Sequence, residues 1–284
     1  MKNVLLVMAA LMLSFFSYAQ DAAELINQGN EAMKAEDYAK AFQLYDQGMK
    51  NIGDVEVDPA INFNIGFAAY RSNNLKGAVE YFDKAIAEGV NVSKSHEYKA
   101  LAYNEAEDYA NAVKSYEEAI AAAEGDTEPM VYNAAIAAYR GNLLDKAVEL
   151  FSKSVESNYK AETALYYKAV TLRKQNKDAE YKATLEEGVK KFPKEDRLTS
   201  ALANIYVSEG NELYKKGVAI LTAANEKVSS GAITTADDAY TAEVEKAKKE
   251  FKSAVEVLDK ALGLDADNKN AKKLKDASQA VLQS

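Results

Sequence analysis

The 284-residue chain has no cysteine, no tryptophan, one histidine (His96) and three prolines. Without cysteine there is no disulfide scaffold, no cysteine-ligated zinc and no iron–sulfur cluster. One histidine excludes any metal centre built on two or more, and it leaves a Ser-His-Asp triad only His96 to draw on. Prolines are far below the ~5% of an average chain, which favours long runs of helix. A basic excess is also missing. Lys and Arg number 35 against 44 Asp and Glu, a formal charge of −9, and no basic run offsets it. Nucleic acid binding needs a cationic surface that releases phosphate counterions, so no nucleic acid partner is expected. What is present is an ordinary folding composition, 48% hydrophobic and 28% charged, which excludes a disordered chain.

The first twenty residues differ from the rest. Lys2 forms a short positive segment, Val4 to Phe16 is apolar, and Ser17-Tyr18-Ala19 puts small residues at the −3 and −1 positions of a cleavage site before Gln20. This is the pattern of a secretory signal peptide over 1–19. The alternative is an uncleaved anchor, but the apolar stretch is shorter than the ~20 residues a spanning helix needs. No cysteine stands at the boundary, so no lipoprotein anchor can form there. Nothing after Gln20 is apolar for long enough to span a bilayer. The expected product is exported, most simply to a periplasm, where an oxidising environment agrees with the lack of cysteine.

The remainder repeats itself. Phe63-Asn-Ile-Gly-Phe-Ala-Ala-Tyr-Arg71 returns as Tyr132-Asn-Ala-Ala-Ile-Ala-Ala-Tyr-Arg140 at an offset of 69, and Ala78-Val79-Glu80 and Phe82 return as Ala147-Val148-Glu149 and Phe151. Half of that offset is visible too: Asp108-Tyr-Ala-Asn-Ala-Val-Lys-Ser-Tyr116 lies between the two copies, and Asp37-Tyr-Ala-Lys-Ala-Phe-Gln-Leu-Tyr45 precedes them. Apolar residues recur at helical spacing. Asn73-Asn74, Glu107-Asp108 and Gly141-Asn142 supply turn chemistry. Asp58-Pro59 and Thr127-Glu-Pro129 read as a cap followed by proline in a first helical turn. One such unit cannot bury its own apolar stripe, so units must stack.

These residues resemble the tetratricopeptide repeat (TPR) family, a 34-residue helix–turn–helix unit with small residues at positions 8, 20 and 27 and large apolar ones between. Five repeats span 20–195, at about 22–58, 59–92, 93–127, 128–161 and 162–195. Gly29, Ala41 and Gly48 carry the first; Gly66, Ala78 and Ala85 the second; Ala100, Ala112 and Ala119 the third; Ala135, Ala147 and Ser154 the fourth; Ala169 and Gly188 the fifth. Tyr181 replaces the small residue at position 20 of the fifth. The resemblance implies an all-α, right-handed superhelical solenoid of antiparallel helix pairs. Residues 196–267 read as an extended TPR-like helical hairpin, with helices over Leu198 to Lys227 and Ala236 to Leu262. A break at Gly210-Asn211 is one reading of the first helix, and Thr235-x-x-Asp238 resembles a capping box for the second. Two ordinary repeats are the alternative. Residues 268–284 read as a capping helix.

No catalytic constellation is present: no phosphate-binding loop, dinucleotide fingerprint, nucleophile elbow or zinc-spaced His-Glu pair. No enzyme activity, cofactor or metal is therefore expected. Asp265-x-Asp267-x-Lys269 begins like a calcium loop, but Lys269 takes a ligand position and the required glycine is absent, so it reads as a turn. His96 falls at a packing position and reads as a buried, hydrogen-bonded core residue.

What remains is a binding surface. By the resemblance, first helices line the concave groove, and the candidate groove residues are Asn30, Asn64, Tyr70, Arg71, Lys94, Tyr132, Asn133, Tyr139, Arg140, Tyr167 and Arg173. Tyrosine and arginine concentrate binding energy at interfaces, and an asparagine amide can bond both N–H and C=O of an extended peptide. Whether the aromatics bind a partner or pack between first helices is open. The pattern by which some TPR domains clamp a peptide carboxylate falls on Ile26, Asn30, Asn64, Lys94 and Tyr98. Its basic positions at Ile26 and Tyr98 are lost, so that clamp is rejected. The expectation is a non-catalytic exported adaptor for a protein or peptide. The alternative is a structural subunit that docks through its C-terminal hairpin onto an outer-membrane or envelope assembly.

Overall fold

The computed structural model describes residues 22–53 and 56–283. The signal peptide expected at 1–19 lies outside the described residues. Those residues form thirteen helices and no strand, and no helix among them is long and apolar enough to cross a membrane. The chain divides after Lys160 into two units.

The first unit holds α1 (22–34), α2 (Tyr38–Lys50), α3 (Ile61–Arg71), α4 (Leu75–Ala87), α5 (Val92–Glu105), α6 (Tyr109–Ala121), α7 (Glu128–Arg140) and α8 (Leu144–Glu156). Consecutive helices from α2 onward pack on one another, and α3 also touches α5. Each pair closes by the same turn. Glu36, Asn73, Glu107 and Asn142 take the left-handed conformation, with φ between 57° and 62°. The next N–H then reaches back to the first helix, from Asp37 to the Ala32 carbonyl (2.9 Å), Asn74 to Ala69, Asp108 to Tyr103 and Leu143 to Ala138 (2.8 Å each). Asp37, Asn74 and Asp108 then cap the second helix, each side chain accepting a backbone N–H three residues on.

Small residues decide how closely the pairs cross. A Cβ on Gly29 would stand 2.6 Å from the Tyr45 ring, and one on Gly66 would stand 2.8 Å from the Phe82 ring. Tyr45, Phe82, Tyr116 and Phe151 are all almost wholly buried. The expected proline caps differ in detail. Pro129 does sit in the first turn of α7, but the Thr127 side chain makes no cap; Asp126 accepts the Glu128 N–H instead, at 2.9 Å.

The second unit holds α9 (Ala161–Lys174), α10 (Asp178–Lys191), α11 (Asp196–Ser229), α12 (Asp238–Leu264) and α13 (Lys269–Gln283). α11 runs through Gly210 without a break. The glycine serves close packing instead: a Cβ there would meet Leu258 at 2.6 Å, and one on Gly217 would meet Phe251 at 2.8 Å. α12 does not begin with the expected capping box. Asp237 takes the N-cap position, and its carboxylate accepts the Thr234 N–H at 2.7 Å. α13 packs against α11 and α12, with Lys275 paired to Asp259 at 2.7 Å.

At the fourth turn the N-cap is Leu143. Its backbone (φ −82°, ψ 65°) matches that of Asp108 (φ −85°, ψ 69°), yet its side chain caps nothing and is 37% exposed. Leu143→Asp should therefore raise stability by about 1 kcal/mol, read as a higher urea midpoint at unchanged slope. An unchanged midpoint would mean that the exposed leucine is held by packing.

Candidate functional site

Nine of the eleven expected groove residues lie in the first unit and two, Tyr167 and Arg173, in the second. They divide by what their side chains already touch. Asn30 is half-buried, and its amide oxygen accepts the Tyr45 hydroxyl at 2.8 Å. Burial pushes the Tyr45 phenol up to about 12, so this bond persists at any ordinary pH. The Asn30 acceptor is thus committed within its own repeat.

On α3, Tyr70 donates to the Glu105 carboxylate of α5 at 2.6 Å, and its ring lies 5.8 Å from Tyr98. Burial first, then the Glu105 carboxylate, push the Tyr70 phenol up. Tyr98 is the centre of an aromatic knot. It stacks on Phe82 at 5.8 Å and meets Phe67 edge-on at 5.3 Å and Phe63 at 6.0 Å. Such contacts are worth about 1 kcal/mol each beyond area burial, and here they pack α5 against α3 and α4. Arg71 is exposed, with its guanidinium 4.3 Å above the Tyr38 ring and 5.6 Å from Phe67. Its flat face is stacked, which leaves the edge bearing its N–H donors free of that contact.

Tyr132 is 8% exposed. Its ring meets Phe151 at 6.2 Å and Tyr159 at 6.1 Å, with the Lys160 ammonium 4.6 Å away. The structure therefore makes Tyr132 a packing residue rather than a groove-lining one. The cause is the ring of Phe151 on α8, which covers it.

Asn64 and Asn133 are different. Both are half-buried, and neither side-chain amide has a hydrogen-bond partner among the described residues. Arg140 and Lys94 are exposed and likewise make no ion pair among the described residues. Asn64 with Arg71, and Asn133 with Arg140, stand two helical turns apart on one face of α3 and of α7. Tyr139 is half-buried on the same helix. In the second unit, Tyr167 is half-buried with its ring 5.7 Å from Tyr166, and exposed Arg173 lies 5.6 Å from the Tyr181 ring.

The chain matches the tetratricopeptide repeat family over residues 26–91, 63–127 and 163–195. It is a tetratricopeptide repeat protein. Solved structures similar to it include a TPR repeats protein from Bacteroides fragilis NCTC 9343 (23% identity over 92% of this chain and 98% of that one, TM-score 0.42). A tetratricopeptide repeat protein from Parabacteroides merdae ATCC 43184 is 17% identical over 92% and 99% of the two chains, with a TM-score of 0.47. The C-terminal part of a TPR repeat-containing protein from Cytophaga hutchinsonii is 14% identical over 88% and 98%, with a TM-score of 0.49. No curated protein matches this chain significantly. TPR repeats serve as scaffolds that bind protein or peptide partners, and in general they are not catalysts.

Two features eluded sequence reasoning. Glu105 and Tyr38 shape the face of this TPR protein by holding Tyr70 and Arg71. A signal existed for Glu105, which lies one repeat length beyond Tyr70. The calcium-like turn is occupied by its own bonds: Asp265 accepts from the Asp267 N–H and the Asn268 amide, and Asn268 caps α13 through the Ala271 N–H.

His96 is half-buried rather than buried, and Nδ1 stands 3.1 Å from a Glu118 oxygen. Its pKa is lowered from 6.5, chiefly by desolvation and secondarily by Lys99, against the opposing pull of Glu118 and Asp83. The folded chain thus holds this proton less tightly than the unfolded chain. Its stability is full above the ordinary value of 6.5 and falls as the pH drops through 6.5 toward the lower folded value. The imidazole resonance should titrate below 6.5, and His96→Gln should lessen the stability lost between about pH 7 and pH 5. A midpoint above 6.5 would show that Glu118 outweighs burial.

Proposed function

We propose that this TPR protein is a non-catalytic exported adaptor that holds a protein or peptide partner against the first-helix face of its first unit. The observation that carries the reading is the pair of amides with no partner among the described residues, Asn64 and Asn133, each two turns from an arginine on the same face. A half-buried amide without a protein partner in the free chain can exchange water for a backbone N–H or C=O of a ligand, a net gain of about 1 kcal/mol. Arg71 and Arg140 offer a planar fork to a carboxylate on the same ligand. The face is not uniformly cationic, because Glu105 borders it through Tyr70. That favours a ligand with mixed polar groups over a purely acidic one. The 69-residue spacing of the two Asn–Arg pairs places them two repeats apart, so an extended segment is the shape that reaches both.

Asn64→Ala combined with Arg140→Ala should abolish recovery of a partner from solubilised cell envelope while shifting the melting temperature little, since neither side chain is bonded in the free protein. Equal recovery by both baits, or a large loss of melting temperature, would overturn the groove reading.

Export rests on Lys2, the apolar run Val4 to Phe16 and the Ser17-Tyr18-Ala19 boundary. Mass spectrometry of the protein recovered from a periplasmic fraction should find Gln20 at the N-terminus. An intact Met1 in a cytoplasmic or membrane fraction would count against it.

A further inference from the structure

α1, α3, α5 and α7, the first helices of the first unit, each end on a charged residue: Lys34, Arg71, Glu105 and Arg140. The last three follow one another at 34 and 35 residues, so they hold the same place in successive repeats. All four side chains are exposed, and none is in an ion pair among the described residues.

A helix ends in a partial negative charge, which favours a cation on its last turn and disfavours an acid. Lys34, Arg71 and Arg140 obey that preference, and Glu105 opposes it. Packing does not call for the charge either. Glu105 accepts the Tyr70 hydroxyl of α3 at 2.6 Å through one oxygen. A glutamine oxygen would accept the same bond without opposing the helix end. What the bond does is hold the carboxylate at the border of the first-helix face, with its second oxygen unpartnered among the described residues.

We infer that Glu105 selects the partner: the segment that binds this face carries a basic residue opposite Glu105, between acidic residues opposite Arg71 and Arg140. This rests on the groove reading above and names the chemistry of its ligand. Charge complementarity sets the order, because the row reads positive, negative, positive from α3 to α7. A uniformly acidic segment would meet a like charge at its centre, and a uniformly basic one would meet like charges on both sides. α3 touches α5, and packed helices lie about 8–10 Å apart. An extended chain advances about 3.3 Å per residue, so one step between first helices spans about three residues. The matching segment is therefore acid-x-x-base-x-x-acid.

Panning a random peptide library displayed on phage against the full chain tests it, with the Asn64→Ala, Arg140→Ala double variant panned in parallel to report on the groove itself. The wild type should enrich peptides with a basic residue three positions from an acid on each side. Glu105→Lys should enrich peptides with an acid at that central place. A synthetic copy of an enriched peptide should bind the wild type roughly tenfold more tightly than a version with glutamate at the centre, and added salt should shrink the difference. Glu105→Gln keeps an acceptor for Tyr70, so it should lose most of this preference at an unchanged melting temperature. Enrichment that needs Asn64 and Arg140 but shows no central basic residue, or a preference indifferent to Glu105→Gln, would overturn the inference and leave the groove reading standing. No enrichment by the wild type, or equal enrichment by the double variant, would overturn the groove reading and this inference with it.

Discussion

Helix pairs in this protein are set by contact between a large side chain and a residue with little or none. Gly29 against Tyr45 and Gly66 against Phe82 hold the first two pairs, and Gly210 against Leu258 and Gly217 against Phe251 hold the long hairpin. Dispersion and burial depend on separation within a fraction of an ångström, so a methyl group in place of a hydrogen would force the helices apart. The turns follow from that closeness. Left-handed Glu36, Asn73, Glu107 and Asn142 reverse the chain in the shortest span and return an N–H to the first helix.

The same economy shapes the surface. Where the first helices carry aromatics, most are drawn into packing. Tyr98 closes a knot of Phe63, Phe67, Tyr70 and Phe82, and Tyr132 lies under Phe151 and Tyr159. Phenols and guanidinium groups at the edge are then fixed by what the rings leave open: Tyr70 by Glu105, Arg71 by Tyr38. The side chains that stay unengaged are amides and cations two turns apart, and they give the face its capacity for a ligand. A rigid repeat frame positions them at little entropic cost, because the frame is ordered before a partner arrives.

The repeat register was legible in the chain because small residues, turn residues and apolar stripes all recur with one period. Local chemistry and global packing ask for the same residue at the same place there, as at Asn74, which both turns the chain and caps α4. Legibility failed where one residue type serves two ends. Gly210 reads as a helix breaker and instead lets Leu258 approach. Thr235 and Asp238 have capping-box spacing, yet Asp237 takes the cap. Tyr132 and Tyr70 hold hot-spot residue types at groove positions, but the first is covered by a ring from the next helix and the second is bonded to a carboxylate one repeat away. Apart from the Asp237 cap, these outcomes are set by residues distant in sequence.

By itself the sequence determined the helical repeat, its period and the absence of thiol chemistry, since each follows from composition or from spacing along one dimension. Only the tertiary structure decided which side chains are spent and which are available. Asn30 and Asn64 are both asparagines on first helices, but one is bonded to Tyr45 and the other has no partner among the described residues. The physical reason is that a hydrogen bond or a ring contact is settled by distances of a few ångströms between helices, and periodicity does not encode those distances.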